Sequence, residues 1–178
     1  MAKLRKGVAY RKLERPYTRI SKYRQKSFIR TARNIRVVRF NMGETNRKFQ
    51  YTLNLLSKSS FQLRHNAIEA ARQSSNRLLE KVLGKSGYFM KIRVYPHHVL
   101  RENPLAAGAG ADRMSTGMQK SFGKPIGFAA QVKEGKPMVS LSVDKQHLDI
   151  AKKALIRFSH KVPCKTTIET IVNAPTAK

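Results

Sequence analysis

The chain has 178 residues, with 37 Lys or Arg against 10 Asp or Glu and a formal net charge of +27. That length fits one ordinary domain plus an extension, 40% hydrophobic residues can bury a core, and the charge calls for a polyanionic partner. A single cysteine, Cys164, excludes an intramolecular disulfide framework and a multi-cysteine zinc site, and no apolar run approaches a membrane-crossing helix, so a soluble protein of a reducing, intracellular compartment is expected.

Residues 1–34 read as a basic RNA-binding extension. The first forty residues hold fourteen Lys or Arg and one acid, Glu14, a net +13. Arg5, Lys6, Arg11, Arg15, Arg19, Lys22, Arg24, Lys26, Arg30 and Arg33 are interleaved with Tyr10, Tyr17, Tyr23 and Phe28. Cations supply phosphate contacts and rings supply stacking faces, a pairing suited to structured RNA, with Tyr17 and Tyr23 the candidate stackers. Arg outnumbers Lys, as bidentate phosphate recognition favours. A solvated basic arm, or one drawn to anionic lipid, is the alternative; a purely solvated tail does not need the aromatic and aliphatic punctuation.

A single domain is expected over 35–178. Ile35–Phe40 (IRVVRF) predicts a short strand whose Arg36 and Arg39 face the partner, followed by turn signals over 41–46. Alternating Phe49, Tyr51, Leu53 and Leu55 predict a strand with one buried face. A helix is expected over 61–83, opened by a capping box of Ser59 and Gln62 and closed by Gly84. Its apolar stripe would be Leu63, Ala67, Ala71, Leu78 and Val82, leaving Arg64, Arg72, Arg77 and Lys81 on other faces. Residues 88–94 predict a strand in which Lys91 and Arg93 share a face, and YPHHVLR follows. Residues 103–125 have no usable periodicity and are rich in Gly, Ala and Ser, a long internal loop of the kind that is functional or disordered. Apolar runs over 127–132 and 138–143 around a glycine-containing turn predict a β-hairpin. Asp144 is placed to cap a helix over 145–159 with Leu148, Ala151, Leu155 and Phe158 on one face, and 166–172 (TTIETIV) reads as a last strand.

Catalytic and cofactor motifs fail one by one. Gly84, Lys85 and Ser86 spell the end of a phosphate-binding P-loop, but the glycine required five residues earlier is Leu79, so a helix C-cap is the better account. Gly108 and Gly110 start a dinucleotide fingerprint whose third glycine is Arg113. No two of His65, His97, His98, His147 and His160 have a helical i, i+4 metal spacing; RNA contacts, by His97 and His98 among them, are preferred to a shared metal, with satisfied structural histidines the alternative. Cys164 after Pro163 reads as a small buried thiol. No catalytic residue, metal or cofactor is assigned.

The segment ENPLAAGAGADRMSTGMQKSFGKPIGFAAQ, from Glu102 to Gln131, resembles one family: the archaeal and eukaryotic version of large-subunit ribosomal protein sixteen, also called ten-e. Its AGADR, TGM and FGKP blocks carry the likeness, which extends through RVYPHHVLREN and the PYTR and SKYR region across nearly the whole chain. The resemblance implies an α+β fold: a small sandwich of antiparallel or mixed sheet with two helices, embedded in large-subunit ribosomal RNA near the aminoacyl-tRNA path. It implies a loop reaching toward the peptidyl transferase centre, carried here by Gly110, Asp112, Arg113, Met114, Lys120 and Lys124. The short C-terminal segment matches archaeal members better than eukaryotic ones. The body's candidate RNA contacts are Arg36, Arg39, Arg64, Arg72, Arg93, His97, His98 and Arg101.

The function expected is therefore that of a structural constituent of the large ribosomal subunit, cytoplasmic and ribosome-bound, that contacts ribosomal RNA and neighbouring ribosomal proteins and helps position tRNA. A basic RNA-binding assembly factor or an RNA-modifying enzyme is the alternative, and the enzyme would need a general base or metal cluster that the sequence does not offer. A membrane-surface or DNA-compacting protein would have no use for the long internal loop.

Overall fold

A computed structural model describes residues 5–31, 34–102 and 123–173. These residues form an α+β fold of two antiparallel sheets and two α-helices around one core. The larger sheet holds β1 (Asn41–Gly43), β2 (Tyr51–Ser57), β4 (Tyr88–Ile92), β7 (Pro137–Val143) and β8 (Thr166–Val172) in the order β1-β4-β7-β2-β8. The smaller sheet holds β3 (Phe61–Arg64), β5 (His98–Glu102) and β6 (Lys124–Val132) in the order β3-β6-β5. Helix α1 (His65–Leu83) packs on α2 (Leu148–Ser159) and reaches β3, β4 and β6, while α2 rests on β2, β7 and β8.

Period-two alternation makes the strands. Leu53 and Leu55 of β2, Tyr88, Met90 and Ile92 of β4, and Leu141 and Val143 of β7 are buried on the helix side. On the opposite face one register row runs Asn41, Lys91, Ser140, Asn54 and Glu169, with the Ser140 hydroxyl donating to Asn54 Oδ1 at 2.7 Å. In the smaller sheet Phe61 opposite Val132 and Leu63 opposite Ala130 join the same core, which leaves Gln62 opposite Gln131 on the other face.

Several boundaries differ from the sequence expectation, each for a physical reason. Phe61–Arg64 is strand, not helix, because Phe61 and Leu63 both find apolar partners across β6. No capping box forms: Arg64 is the N-cap and makes no side-chain capping bond. The buried face of α1 is Ile68, Ala71, Ser75 and Leu79; Ala67 and Leu78 flank it, and Val82 is 51% exposed. Once the helix starts four residues later, the stripe is read from the wrong origin. Gly84 does close α1, at φ 68°, where a side chain would be strained.

Ile35–Phe40 is irregular, and pairing starts at Asn41 in the expected turn. The supposed hairpin is a crossover: β6 belongs to the smaller sheet and β7 to the larger. Ser57 holds that crossing, its hydroxyl donating to Lys133 O at 2.8 Å and its carbonyl accepting from Gly135 N at 2.9 Å. Asp144 makes no cap; its carboxylate binds Arg47, and a 3-10 turn over Lys145–His147 precedes α2. The expected loop ends two residues early, since Lys124 and Pro125 open β6, Pro125 sitting beside the irregularity at Leu100/Arg101 where a missing N–H is tolerated. The α2 face and β8 follow the expectation.

Candidate nucleic-acid interface

A strand edge that pairs with nothing presents open N–H and C=O groups. Among the described residues β3 and β5 are the outer strands of the smaller sheet, and the N-terminal arm meets both. Gln62 N donates to Arg11 O at 2.9 Å on the β3 edge; Val99 N donates to Tyr17 O at 3.0 Å on the β5 edge. Between them the arm crosses the polar face of the sheet. Gln62 Nε2 donates to Lys12 O at 2.7 Å, and Gln131 Nε2 donates to Glu14 O at 2.8 Å and to Gln62 Oε1 at 3.0 Å. Tyr17 N donates to His98 Nδ1 at 2.8 Å. Residues 11–17 thus form a strap laid across β3, β6 and β5.

The strap is fastened largely by its backbone, and this decides where its side chains go. Carbonyls and amides turn toward the sheet; Arg11, Arg15 and Arg19 remain exposed, as do Lys6, Lys22, Arg24, Lys26 and Arg30 elsewhere on the arm. Arg5 is exposed too and pairs with Glu102. Tyr23 is 63% and Phe28 76% exposed, with Lys22 Nζ 5.3 Å from the Tyr23 ring centroid. Exposed rings beside exposed cations offer what phosphates and splayed bases take.

Four sequence candidates have other work. Arg64 donates to Arg5 O at 2.9 Å and lies over the Tyr10 ring at 5.7 Å, and Arg101 covers the Tyr17 ring at 3.7 Å, so both guanidinia hold the arm through ring contacts. Tyr17 is consequently half-buried instead of open. Arg72 is turned inward, bonding the Glu69 carboxylate at 2.9 and 2.6 Å, which holds that carboxyl below and the guanidinium above their ordinary ranges. His98 is buried under Tyr17, and burial pushes its pKa below the ordinary value. His98 and Arg72, both candidates for RNA contact in the sequence, are thus engaged internally, His98 by the Tyr17 amide and Arg72 by the Glu69 carboxylate.

Arg36, Arg39, Arg93 and His97 are exposed as expected. Lys124 is exposed and pairs in register with Glu102; Arg33, Gly110, Asp112, Arg113, Met114 and Lys120 lie outside the described residues. Sequence reasoning missed Gln62, Gln131 and Glu102, which fasten the arm. The signal was available: in F-Q-L-R and A-A-Q-V a glutamine takes the polar beat of a strand. It also missed His65, buried at the start of α1, whose Nδ1 accepts from Arg36 N at 3.2 Å.

The sequence profile of the family described as ribosomal protein L16p/L10e matches residues 14–169. Among curated proteins, the large ribosomal subunit protein uL16 of Archaeoglobus fulgidus is 45% identical over 159 residues, covering 89% of this chain and 88% of that protein. The protein of the same name from Nanoarchaeum equitans is 46% identical over 162 residues, 89% of this chain and 85% of its own length. That of Methanococcus maripaludis is 42% identical over 167 residues, 93% and 94%.

Proposed function

The chain belongs to the ribosomal protein L16p/L10e family, and from that premise we propose that it is a structural constituent of the large ribosomal subunit that binds ribosomal RNA through its strapped arm. The observation that carries the mode of binding is the division of the arm: backbone bonded to the sheet, exposed cations on the outside. A tail that is already laid down loses less conformational freedom when it meets RNA than one that folds on contact. The relatives' names speak for a ribosomal constituent and lend no support to an assembly factor or an RNA-modifying enzyme.

The finer reading is that the protein works in the cytoplasm, beside neighbouring ribosomal proteins, and that its part in translation is positional instead of catalytic. The segment 103–122 supports that reading by composition alone: Arg113 and Lys120 stand among small residues with too few large apolar side chains to build core. Such a segment suits an RNA-lined cavity near tRNA.

The test of RNA binding is its salt dependence. Each phosphate contact contributes a slope of about −0.7 to −0.9 in log affinity against log salt. Replacing Arg11, Arg15 and Arg19 together with Gln keeps the backbone strap and should flatten the slope by roughly 2 to 3 on large-subunit ribosomal RNA. An unchanged slope would remove the arm from the interface. For the loop, a Gly/Ser linker replacing 107–120 should leave incorporation into subunits intact and slow single-turnover dipeptide synthesis; unchanged kinetics would reject a role at that step.

A further inference from the structure

Beyond the arm, three aromatic groups form a column at the outer end of the larger sheet. Phe40 packs against the core and stacks on Tyr95, with ring centroids 5.3 Å apart and planes 24° from parallel. Tyr95 in turn lies 4.5 Å from the His97 ring at 44°. Exposure grows outward, from half-buried Phe40 to Tyr95 at 46% and exposed His97. The column is anchored at one end and open at the other.

Its backbone is fixed. Ile92 N donates to Phe40 O at 2.8 Å, Arg93 N to Met138 O at 2.8 Å, and His97 N to Tyr95 O at 3.0 Å across the buried Pro96. Among the described residues, neither the Tyr95 hydroxyl nor the His97 imidazole has a hydrogen-bond partner. The Ile92–Phe40 bond lies one residue beyond the Asn41–Lys91 pair, and Arg39 and Arg93, the next residue on each segment, are both exposed.

We infer that this column is a docking site for one unpaired RNA base, which stacks on the open rings while the adjoining phosphates lie along Arg39 and Arg93. This deepens the RNA-binding reading above and rests on it. Every base has a π-face, so a preformed ring platform takes one without a sequence requirement. The unpartnered hydroxyl and imidazole can bond base edges or a ribose 2′-hydroxyl. A stacking cation from a neighbouring protein is the other occupant that aromatic rings attract, but exposed Arg39, Lys91 and Arg93, each within four residues of a ring of the column in sequence, repel it and draw a phosphate.

The experiment uses the full chain and protein-free large-subunit ribosomal RNA. Ultraviolet crosslinking followed by mass spectrometry should give a nucleotide attached to the peptide carrying Tyr95 and His97, at an unpaired position of the RNA. Tyr95→Phe, which keeps the stacking ring and loses only the hydroxyl, should retain more affinity than Tyr95→Ala combined with His97→Ala, which should weaken binding about 5- to 150-fold with the salt slope unchanged. Crosslinks confined to the arm, together with parental affinity of the double variant, would overturn the docking site and leave RNA binding by the arm standing. A crosslink from Tyr95 to a protein in intact subunits would overturn it too. Failure of every form, parent included, to bind the RNA would sink the parent reading instead. The wild-type crosslink decides the matter even where a variant folds poorly.

Discussion

Removing the Gln62 side chain should loosen the strap without unfolding the body. In Gln62→Ala the arm loses the bond to Lys12 O at 2.7 Å, a longer one to Tyr10 O at 3.4 Å, and the link through which Gln131 reaches Gln62 at 3.0 Å. Counting the two bonds to the arm, those to Lys12 O and Tyr10 O, at about 0.5 to 1.5 kcal/mol each gives about 1 to 3 kcal/mol. The Gln62 backbone bond to Arg11 O and the Tyr17 bonds to His98 and Val99 remain, so the strap opens more often without departing. Val99 N–H is the reporter, because its acceptor is Tyr17 O on the strap. Its amide hydrogen exchange should quicken about 5- to 150-fold, while the amide of Leu141 in the middle of the larger sheet keeps its rate. Parental exchange at Val99 would refute the account, showing that the two glutamines accompany docking without causing it. Equal acceleration at Val99 and Leu141 would refute it differently, by showing that the strap and body open as one unit.

Two further outcomes test the core and the buried histidine. Leu79→Ala should cost about 2 to 5 kcal/mol because Leu79 is fully buried, Leu78→Ala less, and Val82→Ala least. Thermal melts should show the Leu79 variant about 4 to 20 °C below the parent; a larger loss at Val82 would put the other face of α1 inward. Burial lowers the pKa of His98, so the docked form resists a proton that the undocked form takes up at about 6.5. Docking should therefore be at full strength above that pH and weaken as pH falls from about 6.5 toward the lowered value, since a proton on Nδ1 removes the acceptor for Tyr17 N–H. Exchange at Val99, corrected for its intrinsic pH dependence, should accelerate over that window and stay flat in His98→Gln.

The fold was legible where one periodicity held over a whole element. Leu53 and Leu55 in β2, Tyr88, Met90 and Ile92 in β4, and Ala151, Leu155 and Phe158 in α2 each repeat in step with their own backbone. It was not legible at Phe61–Arg64, where four strand residues run straight into a helix and the 3.6-residue pattern can be extended backward over them. Nor could local pattern show that β6 and β7, separated by a short turn, part into different sheets; that choice depends on β3 and β5 on one side and β2 and β4 on the other. For the interface, charge located the arm but not its fastening. Arg64, Arg72, Arg101 and His98 have the residue types of RNA contacts, and only the packing of Tyr10, Glu69 and Tyr17 against them reveals that they are already engaged.

The pairing of β2 with both β7 and β8 also sets a schedule for synthesis. Translation runs from the N-terminus, so β2 is made before either neighbour, and residues 58–136 must follow before its first partner exists. Until then Leu53 and Leu55 have no sheet to close over them. The strap's docking points arrive one at a time, Gln62 first, then His98, then Gln131 last, while the cationic arm they will hold has been outside from the start. A nascent chain therefore presents an unfastened polycation and an unpaired apolar strand together. Non-local pairing is slow to form, so this interval should be long, and an anionic cover for the arm during it would have a clear use.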